Sequence, residues 1–346
     1  MAYTNIDDPS AYFQTKLWTG NASSNEITFD GNSDLQADWI WHKEPNDTNG
    51  WHQTDTSIGI ANYLASESSA AEYGVGSAYV SAIGSNSITY GSGDSSFNSN
   101  SVAQATWAWK ANGGTTASNT DGSITSTVQA NTDAGFSIVT YTTAGSTATI
   151  GHGLGAKPDV ILLKKRNGAI SWYVRHISTG TSYLNLNLTS AAAANPTATW
   201  TTTEPTTSVY SIGTSSDFNV NGGEYVAYCF ASKQGYSKFG KYTGAGSGSP
   251  FVYTGFKPAL VICKRTDAAN DWGIVDNKRG YNGGTETLFA DLTNAESSTY
   301  TLDLLSNGFR PASNHSIFNQ SSGSYIYMAF AENPFTTSTG IPTTAR

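Results

Sequence analysis

The chain has 346 residues, 18 basic against 26 acidic side chains, a net charge of −8, 35 glycines and 12% aromatic residues. Charged residues make up only 13%, against about 25% in an ordinary soluble domain, and no Lys/Arg cluster offers the phosphate neutralisation that sequence-independent nucleic-acid binding requires. The longest apolar runs are short, as from Val160 to Leu163, so no membrane insertion is expected; Cys229 and Cys263 cannot build a disulfide framework; and a polar chain this rich in aromatics can bury a core.

In chain order, Met1 to Phe13 carries Asp7 and Asp8 and no apolar stretch, so it does not read as a secretory signal, and residues 1–11 read as an N-terminal arm. Residues 12–110 form a first β repeat. It holds Ala37-Asp38-Trp39-Ile40-Trp41-His42-Lys43, then Trp51 eight residues later, and closes on Gln104-Ala105-Thr106-Trp107-Ala108-Trp109. Residues 111–134, rich in Gly, Ser, Thr and Asn, read as a linker or long loop. A second repeat spans 135–232, with Pro158-Asp159-Val160-Ile161-Leu162-Leu163-Lys164, Trp172 after the same interval, and Tyr225-Val226-Ala227-Tyr228-Cys229-Phe230-Ala231 at its end. The third, 235–332, shows the pattern again: Pro258-Ala259-Leu260-Val261-Ile262-Cys263-Lys264, then Trp272, then Tyr325 to Ala331. Gly135-Phe136-Ser137 and Gly235-Tyr236-Ser237 align as the starts of these two repeats, and residues 333–346 read as a C-terminal arm.

Within a repeat the hydrophobic period is two, the mark of strands. In the second repeat the strands fall at about 136–142, 146–151, 159–166, 171–177, 183–188, 207–213 and 224–231. Leu184, Leu186 and Leu188 alternate with Asn185 and Asn187, as on a strand with one wet face. Val160 to Leu163 is apolar on both faces, as in a strand buried on both sides. Val226, Tyr228 and Phe230, with Ile326, Met328 and Phe330 and with Ala105, Trp107 and Trp109, form a bulky face expected in the core. Cys229, Ala329 and Ala108 are small, which suggests close approach of another layer or subunit. One helical turn is expected after Thr189-Ser190, across Ala191 to Ala194 before Pro196, and at Ser68 to Glu72 and Thr293 to Ser297. The expected fold is all-β: three tandem homologous β-sandwich or jelly-roll-like modules of about 100 residues, with a propeller-like array as the alternative. The expected repeat core comprises Lys43, Trp51, Trp107, Trp109, Pro158, Lys164, Trp172, Tyr228, Phe230, Pro258, Lys264, Trp272, Met328 and Phe330.

No catalytic, cofactor or metal residues are predicted. Gly151-His152-Gly153-Leu154-Gly155-Ala156 fits a dinucleotide pattern, but Lys157-Pro158 and a strand follow it where a phosphate-binding helix would be needed. It reads as a turn between strands. His42, His52, His152, His176 and His315 show no zinc spacing, and the two cysteines read as buried thiols. Asp47 to Gly50 and Asn119 to Gly122 lack a Ca²⁺ loop and read as turns. Asp276 aligns with His176, and no acid pair recurs to cleave a polysaccharide. Trp51, Trp172 and Trp272 could each stack a sugar, but Trp172 alternates with Val174 and Trp272 with Ile274, which favours the core.

The segment Thr149-Ile150-Gly151-His152-Gly153-Leu154-Gly155, with Pro158, Lys164 and Trp172 and the closing Tyr225 to Ala231, resembles a repeat domain of unknown function from structural, tail-fibre-like proteins of tailed, especially marine, bacteriophages. So does Tyr253-Thr254-Gly255-Phe256-Lys257-Pro258 with Ala331-Glu332-Asn333-Pro334-Phe335. The first repeat departs, with Ala37 for the proline and Trp107 and Trp109 for the aromatic pair. The resemblance implies a non-enzymatic virion surface protein made in the host cytoplasm. A tail fibre or tail-associated host-binding role ranks first, capsid decoration (a cement or head-fibre protein) second, and a polysaccharide-degrading tailspike third. Expected partners are other virion proteins, further copies of the chain and a host surface glycan. The two arms are expected to contact another chain and to be mobile in the isolated protein.

Overall fold

The computed structural model describes residues 4–76, 79–93, 96–194, 198–280 and 286–334. The chain is all-β, with no α-helix among the described residues and short 3-10 turns at Pro9–Ala11 and Ile177–Thr179. Three large antiparallel sheets dominate. The first orders its strands Phe13–Thr19, Ala103–Trp109, Trp39–Lys43, His52–Asp55. The second runs Phe136–Thr142, Glu224–Phe230, Val160–Lys165, Tyr173–His176, Ser182–Asn185, Ala193–Ala194; the third runs Ser237–Thr243, Ser324–Phe330, Leu260–Arg265, Trp272–Asp276, Leu288–Phe289. In each, the last long strand lies between the first strand and the strand that ends in the lysine.

Strand alternation gives each large sheet two apolar faces, and the two are used differently. One face of every sheet enters a single shared cluster. Trp39, Trp41, Trp107 and Trp109 come from the first; Val160, Leu162, Tyr228 and Phe230 from the second; Leu260, Ile262, Met328 and Phe330 from the third. Rings meet along its middle: Trp39 stacks on Tyr228 at 4.5 Å, and Phe330 lies 5.5 to 5.7 Å from Trp109, Phe230 and Phe13. The opposite faces each pack on a smaller layer. Asn25–Thr28, Ser87–Tyr90 and Val80–Ile83 cover the first sheet, Ala148–Gly151 and Val209–Ile212 the second, and Val252–Tyr253, Gly308–Pro311 and Leu302–Leu305 the third. Each sheet therefore has an outer core of its own: Ile161, Leu163 and Cys229 belong to that of the second sheet, Cys263 and Ala329 to that of the third, and Ala108 to that of the first. The small residues admit a layer of the same chain, and Val160 to Leu163 is buried on both faces. The arrangement is sandwich-like, and the sheets remain separate, with no barrel.

Several local expectations are corrected. Residues 111–134 are not a free linker: Ser126–Asn131 pairs with Phe136–Thr142, and Ala117–Asn119 pairs outside it. The expected helical turns do not form: Ala193–Ala194 is a short strand, residues 68–72 and 293–296 have no regular structure, and Glu72, Ala192 and Glu296 donate their backbone N–H to the carbonyls of Arg166, Thr266 and Pro45, just beyond strands of a neighbouring sheet. Pro196 lies outside the described residues. The strand of alternating leucines stops at Asn185; Asn187 is buried and Leu188 is 41% exposed. The alignment of the repeat starts slips by one residue, since Phe136 faces Phe230 while Ser237, not Tyr236, faces Phe330. A tight Lys233–Ser237 bridge inserts the extra residue and leaves Tyr236 packed on Phe330. Finally, the N-terminal segment is seated on its own chain. Ile6 enters the shared core at 4% exposure, and the Thr4 hydroxyl donates to the Gln234 carbonyl. Residues 335–346, most of the expected C-terminal arm, lie outside the described residues.

Phe330 touches rings from all three sheets, so Phe330→Ala should lower unfolding free energy by about 3–5 kcal/mol, measured by denaturant titration. A loss under about 1 kcal/mol would show that the shared cluster is not one cooperative core.

Candidate functional site

The residues singled out by the sequence meet where one large sheet adjoins the next. Lys43, Lys164 and Lys264 lie at the ends of equivalent strands, last in the first and next to last in the other two, and all three are buried. A buried ammonium needs acceptors. Lys43 donates to the carbonyls of Glu44 and Asp47 (2.8 and 2.7 Å), Lys164 to those of Lys165 and Ser69, and Lys264 to those of Thr189 and Asn270. Burial pulls all three to about 8. Ser69 and Thr189 lie on straps arriving from another sheet. The straps are held alike: Glu72 N–H to Arg166 C=O (2.8 Å), Ala192 N–H to Thr266 C=O (2.9 Å) and Glu296 N–H to Pro45 C=O (2.7 Å).

The tryptophans complete the joints. The Trp172 indole donates to the Ala65 carbonyl at 2.8 Å, Trp272 to Asn185 at 2.9 Å, and Trp51 to Phe289 and Leu292 at 2.9 and 3.0 Å. The second sheet thus reaches the first set of strands, the third reaches the second, and the first reaches the third, a closed cycle. Their backbone N–H groups are capped by Asn187, Asp291 and Glu67. All three indoles are enclosed, so none offers a face to a sugar. Pro158 and Pro258 are buried just before their strands, where a missing N–H costs no ladder bond.

A second cycle was not legible in the sequence. Asp55, His176 and Asp276 occupy equivalent strand ends. Each accepts the backbone N–H two residues on, from Ser57, Ser178 and Lys278. Each then bonds to the central strand of the next sheet. Asp55 accepts from the Tyr228 hydroxyl at 2.7 Å, and Asp276 accepts from the Trp107 indole at 3.2 Å. Met328 stands where these donors would be and has none. There His176, whose Nδ1 accepts from Ser178, donates through Nε2 to the Tyr327 carbonyl at 3.1 Å. Arg279 braces the third joint, 2.7 Å from Asp276 and 2.9 Å from Glu296, with its guanidinium 5.3 Å from the Trp107 ring.

The remaining reactive side chains sit in packing roles. His42 is buried, bonded to Thr106 at 3.2 Å, and burial depresses its basicity strongly. His152 accepts the Leu154 N–H inside the turn between Ala148–Gly151 and Val160–Lys165, where Gly153 and Gly155 take positive φ. Both thiols are buried, Cys263 raised to about 12 by burial and Cys229 higher. Asp121 N–H bonds to the Asn119 side chain, a local turn. Among the described residues no three His, Cys, Asp or Glu side chains converge as metal ligands.

An all-β chain of two-layer sheets joined through buried polar cycles, with Asp55, His176 and Asp276 engaged at the joints, is the class these observations define. Residues 8–334 match the family described as "Domain of unknown function (DUF7483)", and the chain belongs to it. The match takes in all three large sheets. No curated protein and no solved structure matches the chain.

Burial raises Asp55 to about 6, against opposition from the Tyr228 hydroxyl and two backbone amides. A raised carboxyl favours folding below its unfolded value, near 4, and that contribution is lost as pH rises through 6. Asn can accept the same two amides and meet Tyr228 through its NH₂ group. Asp55→Asn should therefore equal wild type near pH 4 and exceed it by about 3 kcal/mol above pH 7, in urea melts across that range. A difference independent of pH would refute a buried, proton-hungry Asp55.

Proposed function

We propose that the chain is three homologous modules of about 100 residues closed into a ring, and that it serves as a non-catalytic surface component of a phage virion that acts by binding. The module reading is supported by the equal strand order of the three large sheets and by the cyclic equivalence of Lys43, Lys164 and Lys264 and of Asp55, His176 and Asp276. One observation carries the binding reading. Side chains of the kinds that do chemistry hold sheet to sheet, which leaves the outer layers and loops as the parts able to meet another surface. The virion assignment rests on the likeness of the Lys-to-Trp segments and closing strands to phage structural repeats. A tail fibre or tail-associated host-binding protein is the first form of this reading.

Capsid decoration is the second form, favoured by the cyclic joints. A ring of three like faces suits a position where three shell subunits meet, since each face can then address one neighbour in the same way. Other virion proteins and further copies of the chain are the partners in either form.

Quantitative mass spectrometry of purified virions tests the reading. A handful to a few tens of copies per particle is expected for a tail location, and hundreds would move the protein to the capsid. Absence from virions would overturn both. Release of reducing sugar from host polysaccharide by the purified chain would overturn the non-catalytic assignment.

A further inference from the structure

Residues 225–266 contain Lys233, Lys238, Lys241, Lys257, Lys264 and Arg265 and no Asp or Glu, in a chain whose net charge is −8. Lys264 is buried at a joint and Arg265 pairs with Asp267 at 2.8 Å. Lys238 and Lys241 have no carboxylate partner among the described residues. The same stretch carries the two most exposed large apolar side chains among the described residues, Phe251 at 49% and Tyr253 at 53%. They flank buried Val252 on the outermost strand of the third sheet's small layer, so both project from one face, about 7 Å apart along the strand.

The rings are placed, not merely exposed. Phe251 lies across Gly308 of the neighbouring strand, where a Cβ would stand 2.9 Å from the ring. The missing side chain leaves room for the ring. Lys238 donates to the Tyr253 carbonyl at 3.0 Å, and its ammonium lies over the Tyr253 ring, 5.0 Å from its centre. Two neighbouring exposed aromatic rings beside an ammonium with no carboxylate partner among the described residues match one ligand chemistry. Pyranose rings present C–H faces that pack on π faces, and carboxylates along the same chain are drawn to the lysine, whereas the rest of an acidic protein repels them.

We propose that Phe251, Tyr253 and Lys238 form a binding site for an acidic polysaccharide. This rests on the reading of the chain as a virion surface protein that works by binding, and it names the ligand class and the site.

Native affinity electrophoresis of the full chain in gels containing polygalacturonate, with dextran as the neutral control, tests it. Wild type should be retarded by polygalacturonate and not by dextran, with retardation falling as salt rises. Phe251→Ser with Tyr253→Ser should weaken the apparent affinity at least tenfold, and Lys238→Gln at least twofold with a flatter salt dependence. All three side chains lie at the surface or half-buried at it, so an unchanged melting temperature confirms folding of each variant. Absence of retardation by polygalacturonate overturns the proposal, as does equal retardation by dextran or an undiminished affinity in the aromatic variant. Mass spectrometry of virions judges the parent reading separately. A chain present on particles but not retarded sinks this site alone, and a chain retarded but missing from particles upholds the site and sinks the virion assignment.

Discussion

Burying one face of three separate sheets in one core forces polar groups into the seams between them, and every such group must find a partner there. The rest of the structure follows from that constraint. A large sheet with only its own small layer would leave Trp39, Phe230 or Phe330 against water, so no sheet completes its burial alone. At the seams the strand ends present ammonium, carboxylate, imidazole and indole groups. The neighbours answer the donors with backbone carbonyls, which survive any change of side chain, and the two carboxylates with the Tyr228 hydroxyl and the Trp107 indole.

The three seams satisfy the same demand with different chemistry. Where the central strand offers a hydroxyl or an indole, at Tyr228 and Trp107, the facing strand end is a carboxylate. Where it offers only Met328, the facing group is His176, which turns a donor toward the Tyr327 carbonyl. His176, lowered to about 4 by burial, holds that donor as a neutral ring at ordinary pH. The pairing of side chain to side chain is therefore coupled across more than a hundred residues, and each alternative leaves no orphaned donor.

Much of the fold was legible because it is local. The period-two runs located the central strands, and the bulky and small faces of Tyr225 to Phe230 separated the shared core from the outer one. The recurring Lys and Trp marked the seams before their purpose was visible. What stayed hidden is what only tertiary structure decides. Ser68 to Glu72 and Ala191 to Ala194 have the composition of a helical turn, yet neither forms one, and Glu72 and Ala192 bond instead to carbonyls at the ends of another sheet's strands. The Gly-rich stretch 111–134 carries too few large apolar residues to announce a strand; it pairs because Phe136–Thr142 would otherwise be an open edge. Asp55 belongs to no motif, Tyr228 only to a core pattern, and only the fold makes them neighbours. Phe251 and Tyr253 could be seen as an alternating pair, but their exposure follows from Gly308 and from the edge position of their strand.

The insertion of each sheet's last strand between two earlier ones has a kinetic side. In the second sheet, Phe136–Thr142 and Val160–Lys165 are joined into one ladder only through Glu224–Phe230, which lies between them, so a loop of many tens of residues must close before the ladder can form. Closure entropy grows only slowly with loop length, but contacts this distant in sequence make for slow folding. During synthesis the growing chain holds two unmated strand edges per sheet until the last strand leaves the ribosome. The Ser-, Thr- and Gly-rich connections, poor in consecutive apolar residues, are suited to keeping such a half-built sheet from pairing with another.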